Sequence, residues 1–162
     1  MPFHSSFFLA ITVATTRIEG GVWLFNNVIR FMTEPGLSDY ALIGNCRSGA
    51  LVSKYGSIDW CCLPDFHSPS IFAAILDRQR GGYFSIAPVN AYQSRQRYIP
   101  DTNVVETIFS TDEGEVRVID AFTVMTEKEK TSALFPDHEI LRVVEGISGE
   151  SSSVLEREIN DC

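Results

Sequence analysis

The stretch from Tyr40 to Phe72 limits the possible folds most strongly, because it contains the pattern of a β-hairpin. Two strand-like runs, Ala50–Ser53 and Ile58–Cys62, flank a short connection that contains Gly56. Glycine accepts a positive φ without a Cβ clash, so a tight turn is expected at this connection. The second strand is followed by a polar loop, Pro64–His67. The pattern predicts antiparallel sheet in this part of the chain.

The rest of the chain has the pattern of a β protein, because short strand-like runs alternate with residues that are typical of turns. Further strands are predicted at Tyr83–Ala87, Gln93–Ile99, Val104–Thr111, Val116–Phe122 and Glu139–Glu145. Several short strands of this kind favour an antiparallel sandwich.

One helix is predicted, at about 69–77. Ser68 can cap free N–H groups, and Pro69 suits the first helical position. Apolar side chains at helical spacing would then share one face, namely Ile71, Phe72, Ile75 and Leu76. Residues 154–162 are compatible with a further short helix. The predicted fold class is therefore mainly β: a partial antiparallel β-sandwich with one short helix.

Composition and charge exclude several classes of partner. Apolar residues make up 44% and charged residues 21%, which is typical of a globular protein. The net charge of −8 argues against a nucleic-acid partner, because phosphate binding needs a basic face. The apolar run from Phe7 to Thr16 spans about ten residues, whereas a membrane-spanning helix needs about twenty. We therefore expect no nucleic-acid partner and no membrane partner.

The cysteines are interpreted as reduced thiols. Cys61 and Cys62 are adjacent on a predicted strand and would point to opposite faces, so they are poor partners for each other. The chain has no C-x-x-C spacing, and His67 has no partner ligand nearby in the sequence. We therefore expect no metal, no cofactor and at least one thiol in the core. Reduced thiols favour a cytoplasmic location.

Several motifs in a fixed order resemble the N-terminal domain of family-15 glycoside hydrolases, the glucoamylase-like and trehalase-like enzymes. They extend over about residues 37–149 and comprise Gly44–Arg47, Gly56–Trp60, Ser68–Phe72, Gly81–Pro88, His138–Arg142 and Val144–Gly149. The number of pieces in the same order makes the resemblance specific. It implies a large β-sandwich that is followed, in the family, by a catalytic α/α-barrel. No part of this chain matches that barrel, so the catalytic α/α-barrel is expected to be absent.

The resemblance also divides the chain. Residues 1–31 do not resemble the family and are predicted to be a poorly ordered N-terminal extension, with a short docked helix as the alternative. Residues 32–149 are predicted to form the partial sandwich domain, and residues 150–162 a C-terminal tail. An incomplete sandwich is expected to leave strand edges and apolar surface uncovered.

The candidate substrate-binding residues are Asp59 and Trp60, together with Asp65 and His67 in the following loop. A carboxylate beside an aromatic ring can bind the hydroxyl groups and the C–H face of a sugar. The structural alternative, which we prefer, places Trp60 in the core and binds Asp59 to backbone N–H groups near the hairpin. Hydrolysis with inversion needs two carboxyl groups roughly 6.5–9.5 Å apart. The resemblance implies that both are barrel glutamates, so no catalytic residue is assigned in this chain.

Asn45 and Arg47 are predicted to be structural. They lie in a polar turn before a strand, from which the Arg47 guanidinium could fork onto a carboxylate of the 64–67 loop and pin the two segments together. Members of the family usually carry Asp where this chain has His67. A role that requires a carboxylate at this position therefore does not carry over.

The function that the resemblance implies is that of a non-catalytic N-terminal part of a glucoamylase- or trehalase-like hydrolase. An α-glucoside or oligosaccharide would be the substrate of the full-length enzyme, and the C-terminal barrel would be the partner domain. The segment alone is expected to be inactive. Two alternatives remain open. One is a stand-alone β-sandwich that binds carbohydrate or another partner, and the other is a gene remnant without function.

Overall fold

The computed structural model describes residues 11–16, 35–124, 139–149 and 153–158. These residues form two β-sheets with one apolar core between them. The strands are β1 Ile11–Thr16, β2 Tyr40–Gly44, β3 Gly49–Ser53, β4 Ser57–Cys62, β5 Ser70–Phe72, β6 Tyr83–Pro88, β7 Gln93–Tyr98, β8 Val105–Ser110, β9 Gly114–Phe122, β10 Ile140–Gly149 and β11 Ser153–Glu158. A 3-10 turn, Leu37–Asp39, precedes β2.

The strand order confirms a mainly β sandwich. The first sheet has the order β1-β10-β9-β8-β7, and the second has the order β11-β6-β4-β3-β2, with β5 paired to β4. All described strand pairs are antiparallel except β1 with β10, which run parallel. The strands predicted from the sequence are confirmed within a few residues at each end.

The predicted helix at 69–77 is wrong. Its first residues, Ser70–Phe72, form β5, and the chain then turns back so that the Ala73 N–H donates to the Gly81 carbonyl. Phe72 is fully buried in the core whereas Leu76 is 80% exposed, so these two side chains do not share one face. Pairing with β4 and burial of Phe72 outweigh the helical spacing, because tertiary contacts override local propensity.

The two terminal segments are described only in part. Within the predicted extension 1–31, residues Ile11–Thr16 form β1, and the remainder lies outside the described residues. Within the predicted tail 150–162, residues Ser153–Glu158 form a strand on β6 instead of the short helix. The division into extension, domain and tail stays a prediction.

Arg142 ties the two sheets together from inside the core. Its side chain has no exposed surface, and its Nε donates to Asp120 Oδ1 at 2.6 Å on the neighbouring strand. Nη1 donates to the Phe84 carbonyl at 3.0 Å, and Nη2 donates to the Gly56 carbonyl at 2.8 Å. Phe84 and Gly56 belong to the second sheet and its hairpin turn. Asp120 thus neutralises the guanidinium within the first sheet, and the remaining N–H groups donate hydrogen bonds to the second sheet.

The turn at Gly56 is confirmed and has a second cause. Gly56 has a φ of +85°, a region that favours glycine. An added Cβ would also collide with the Ile86 carbonyl oxygen and would lie 2.9 Å from Cζ of Phe109. Glycine therefore permits both the turn and its close approach to the core.

Replacing Arg142 should destabilise the fold strongly. Arg142→Met leaves the buried Asp120 carboxylate and two carbonyl groups without this donor, and breaking a buried pair typically costs about 3–5 kcal/mol. We expect a loss of that size in the free energy of unfolding from urea denaturation. Arg95→Met, at an exposed position of β7, is the matched control. An Arg142→Met variant as stable as the control would show that the inter-sheet bonds contribute little.

The outer face of the first sheet carries an ion-pair network. Glu106 is 4% exposed and accepts hydrogen bonds from Arg97 Nε at 2.7 Å and from Arg117 Nη1 at 3.1 Å. Arg117 also pairs with Glu145. Burial acts to raise the pKa of Glu106, but the bonds from Arg97 and Arg117 outweigh it and lower the pKa.

This lowered pKa predicts a pH-dependent contribution to stability. The folded state favours the ionised Glu106, so its contribution is complete above the ordinary pKa of 4.5 and is lost as the pH falls through the folded pKa. Glu106→Gln should therefore reduce the unfolding free energy near neutral pH, and the difference from wild type should shrink at acidic pH. Glu113→Gln, in the exposed turn before β9, serves as control. A difference that stays constant with pH would contradict the assignment.

Candidate functional site

A β-bulge in β4 organises the region that contains the predicted site residues. Leu51 pairs with Trp60, whereas Val52 pairs with Ile58, so Asp59 has no directly opposite residue on β3. An extra residue of this kind shifts the alternation of side chains along a strand. Ile58 and Cys61 consequently both lie in the core, and Trp60 is half-buried.

The Asp59 carboxylate is buried in a polar cluster. Its side chain has no exposed surface, and Oδ2 accepts a hydrogen bond from the Tyr40 hydroxyl at 2.7 Å. Oδ1 accepts a bond from Ser57 Oγ, and Arg78 Nη1 lies 3.6 Å from Oδ2. Burial, followed by the bond to Asp59, raises the pKa of Tyr40. The cluster therefore binds Asp59 through side chains, not through the backbone N–H groups that we expected.

The segment 73–82 crosses this cluster. The Ile75 N–H donates to the main-chain carbonyl of Asp59 at 3.0 Å, and Arg78 approaches the carboxylate. Ser53 and Ser57 lie in the same part of the second sheet and are almost completely buried. The Ser57 N–H donates to Ser53 Oγ at 3.2 Å, so the two serines connect the carboxylate to the turn between β3 and β4.

The turn that contains Asn45 lies against the 64–68 loop. Asn45 Oδ1 accepts hydrogen bonds from the Arg47 N–H at 3.1 Å and from the Ser48 N–H at 2.9 Å. The Arg47 carbonyl accepts a bond from the Phe66 N–H at 3.0 Å. The turn and the loop are thus joined through the main chain of Arg47. The predicted contact between the Arg47 guanidinium and a loop carboxylate stays a prediction.

A contiguous apolar surface lies beside the polar cluster. It consists of Leu42, Leu51, Trp60 and Phe66, and we call it the outer apolar patch. Leu42 pairs with Leu51, and Leu51 pairs with Trp60, so the three are neighbours across the sheet. The Trp60 and Phe66 rings are stacked, with centroids 6.5 Å apart and an interplanar angle of 18°.

Gly49 lies at the base of the outer apolar patch. A Cβ at Gly49 would lie 3.1 Å from Cε1 of Phe66 and 3.2 Å from Cδ1 of Leu42, so both side chains rest on this glycine. Leu42 is 48% exposed and Phe66 is 52% exposed. Uncovered apolar surface, expected of this chain from its sequence, is therefore present here.

The predicted substrate-binding residues differ in their exposure. Asp59 is inaccessible, whereas Trp60 contributes to the outer apolar patch. Asp65 is half-buried and His67 is exposed in the adjoining loop. A role in sugar binding for Trp60, Asp65 and His67 stays a prediction.

Sequence reasoning missed the residues that close one edge of the sandwich. The Tyr98 hydroxyl accepts a hydrogen bond from the Leu42 N–H at 2.9 Å and donates to the Leu42 carbonyl at 3.0 Å. Asn103 Nδ2 donates to the Gly44 carbonyl at 2.7 Å. The edge strand β2 is therefore capped at these positions. These residues are 56 or more positions apart in the chain, so no local pattern could have indicated the contacts.

Other chemistry is limited in the described ranges. No three His, Cys, Asp or Glu side chains there group closely enough to hold a metal ion. Cys46, Cys61 and Cys62 are free thiols, and burial raises the pKa of Cys61 to about 12. No helix among the described residues is long and apolar enough to cross a bilayer.

The two sheets and the bulged hairpin define a β-sandwich domain whose described buried carboxylates serve as structural connectors. The family model described as trehalase-like, N-terminal, matches residues 23–156. The chain belongs to this family of N-terminal domains, as the motifs in its sequence indicate.

Three similar proteins are trehalases. The trehalase of Mycolicibacterium smegmatis is 32% identical over 132 residues, which are 75% of this chain and 20% of that protein. The Mycobacterium tuberculosis trehalase is 33% identical over 71% of this chain and 18% of its own length, and the Thermoplasma volcanium trehalase is 38% identical over 70% and 18%. This chain thus spans about a fifth of the length of these relatives. No solved structure matches it.

Neutralising Asp59 should loosen the segment above it. Asp59→Asn removes the charge that attracts Arg78 and weakens the bond from Tyr40, so local opening should become easier. We expect amide hydrogen exchange at Ala73 and Ile75 to accelerate by about tenfold or more, which corresponds to about 1.4 kcal/mol. Asp65→Asn, the same substitution in the neighbouring loop, should leave these amides unchanged. Equal exchange rates in both variants would refute the pinning role of the Asp59 carboxylate.

Proposed function

We propose that this chain acts as the N-terminal domain of a trehalase-like glycoside hydrolase and supports a catalytic domain structurally. The observation that carries the proposal is the match of the family model to residues 23–156. The substrate we propose for the whole protein is an α-glucoside, with trehalose as the first candidate, since the relatives named above are trehalases. We also propose a cytoplasmic location, because the described cysteines are free thiols.

The described carboxylates support a non-catalytic role. A general acid in glycoside hydrolysis needs a carboxyl group with a raised pKa that can reach the leaving oxygen. Asp59 and Asp120 have no exposed side-chain surface, and both are bound by side chains of the same domain. The pKa of Glu106 is lowered, which is the opposite of what a general acid requires.

A stand-alone carbohydrate-binding domain is less well supported. That alternative paired a carboxylate with an aromatic ring, but the Asp59 carboxylate has no surface available for a sugar hydroxyl. Asp65, which is half-buried next to Phe66, is the carboxylate that remains beside the stacked rings of Trp60 and Phe66.

The proposal predicts an inactive chain and an active chimera. The purified chain should release no glucose from trehalose or maltose. A chimera in which residues 23–156 replace the matched region of the M. smegmatis trehalase should hydrolyse trehalose, and the same trehalase without that region should not. The activity measurement is glucose release. Glucose released by the chain alone would contradict the supporting role, and an inactive chimera would contradict the proposed domain function.

A further inference from the structure

We propose that the outer apolar patch is the surface on which the catalytic remainder of a trehalase-like protein packs. This inference rests on the proposed function and identifies the face through which the domain acts. It commits to one occupant, an apolar surface of the remaining polypeptide.

The contrast between the two outer faces supports a protein contact. The described outer face of the first sheet carries Arg97, Glu106, Arg117 and Glu145 in one network, and these charges interrupt its half-buried apolar side chains, such as Ile119 and Val143. The second sheet instead presents Leu42, Leu51 and Trp60 in register across three strands. A half-solvated antiparallel sheet normally carries polar residues on its outer face. Contiguous exposed apolar surface of this kind marks an interaction site.

Main-chain hydrogen bonds hold Phe66 in a fixed position. Its N–H is bonded to the Arg47 carbonyl, and the adjoining turn is closed by the bond from the Ser68 N–H to the Asp65 carbonyl at 3.0 Å. The Asp65 N–H donates in turn to Ser68 Oγ at 3.3 Å. Phe66 nevertheless remains half exposed. An aromatic side chain on a pre-organised loop loses little conformational entropy on binding, which is characteristic of an interface anchor.

The length of the relatives indicates the occupant. About four-fifths of each relative lies outside the region that this chain matches, so a large polypeptide accompanies this domain in those proteins. Two aliphatic side chains beside two aromatic ones suit an apolar protein surface better than a sugar, which also needs polar partners. A second copy of the chain is disfavoured, because each copy carries a net charge of −8.

Hydroxyl-radical footprinting of the wild-type sequence tests the inference directly. It compares side-chain labelling in the full chain with labelling in the trehalase chimera described above. Leu42 and Phe66 should be labelled about threefold or more slowly in the chimera, because anchors of an interface are desolvated. Val89 and Ile147 are internal controls, since they are 38% and 46% exposed away from the patch. Their labelling should be equal in both proteins.

Paired variants of the chimera test the consequence for function. Leu42→Ser with Phe66→Ser should accelerate proteolytic separation of the domain by about tenfold or more, whereas Val89→Ser with Ile147→Ser should not. Both pairs should leave the stability of the isolated chain nearly unchanged, because exposed substitutions usually cost little.

The possible outcomes separate this inference from the proposed function. An active chimera in which Leu42 and Phe66 are labelled as fast as in the free chain would overturn the docking surface and leave the proposed function intact. An inactive chimera would contradict the proposed function itself. Protection of the patch in the free chain by trehalose, or by raising the protein concentration, would identify a sugar site or a self-contact instead and would overturn the inference.

Discussion

A single buried guanidinium, that of Arg142, joins the two sheets. The residues around it supply the counter-charge and the hydrogen-bond acceptors that a buried guanidinium needs. Asp120, on the adjacent strand of the same sheet, neutralises the charge of Arg142. Its remaining N–H groups need acceptors, which the Phe84 and Gly56 carbonyls supply. The same guanidinium lies 5.2 Å from the centroid of the Phe84 ring, so apolar and polar groups of one residue both contact it. The hairpin turn at Gly56 is thereby held deep against the core.

Buried acids in this domain act as connectors of segments. Asp120 joins neighbouring strands and neutralises Arg142, whereas Glu106 forms ion pairs with two arginines on an outer face. Asp59 joins β4 to the crossing segment through Arg78 and to the edge strand through Tyr40. An acidic composition therefore says little about catalysis here, because these carboxylates are engaged by their own fold.

The sequence predicts the strands well because their signals are local. Alternation and turn residues such as Gly56 depend on neighbours within a few positions. The helix prediction at 69–77 failed because Phe72 is fixed by the core, a contact that local spacing does not encode. The same limit applies to the bond from Arg142 to Gly56, which spans 86 positions. The family motifs identified the domain, but the burial of Asp59 required the three-dimensional structure.

One extra residue in β4 creates both halves of the candidate site. Without the bulge, Trp60 would follow the alternation set by Ile58 and would point into the core. The bulge instead turns Trp60 toward Leu51 and Phe66, and it leaves Asp59 to be enclosed by the segment 73–82. The polar cluster and the outer apolar patch therefore both result from the bulge in β4. The hydrogen bonds from Tyr40 and Ser57 hold the bulged residue Asp59 on the buried side, and the same register shift gives Trp60 its outward position.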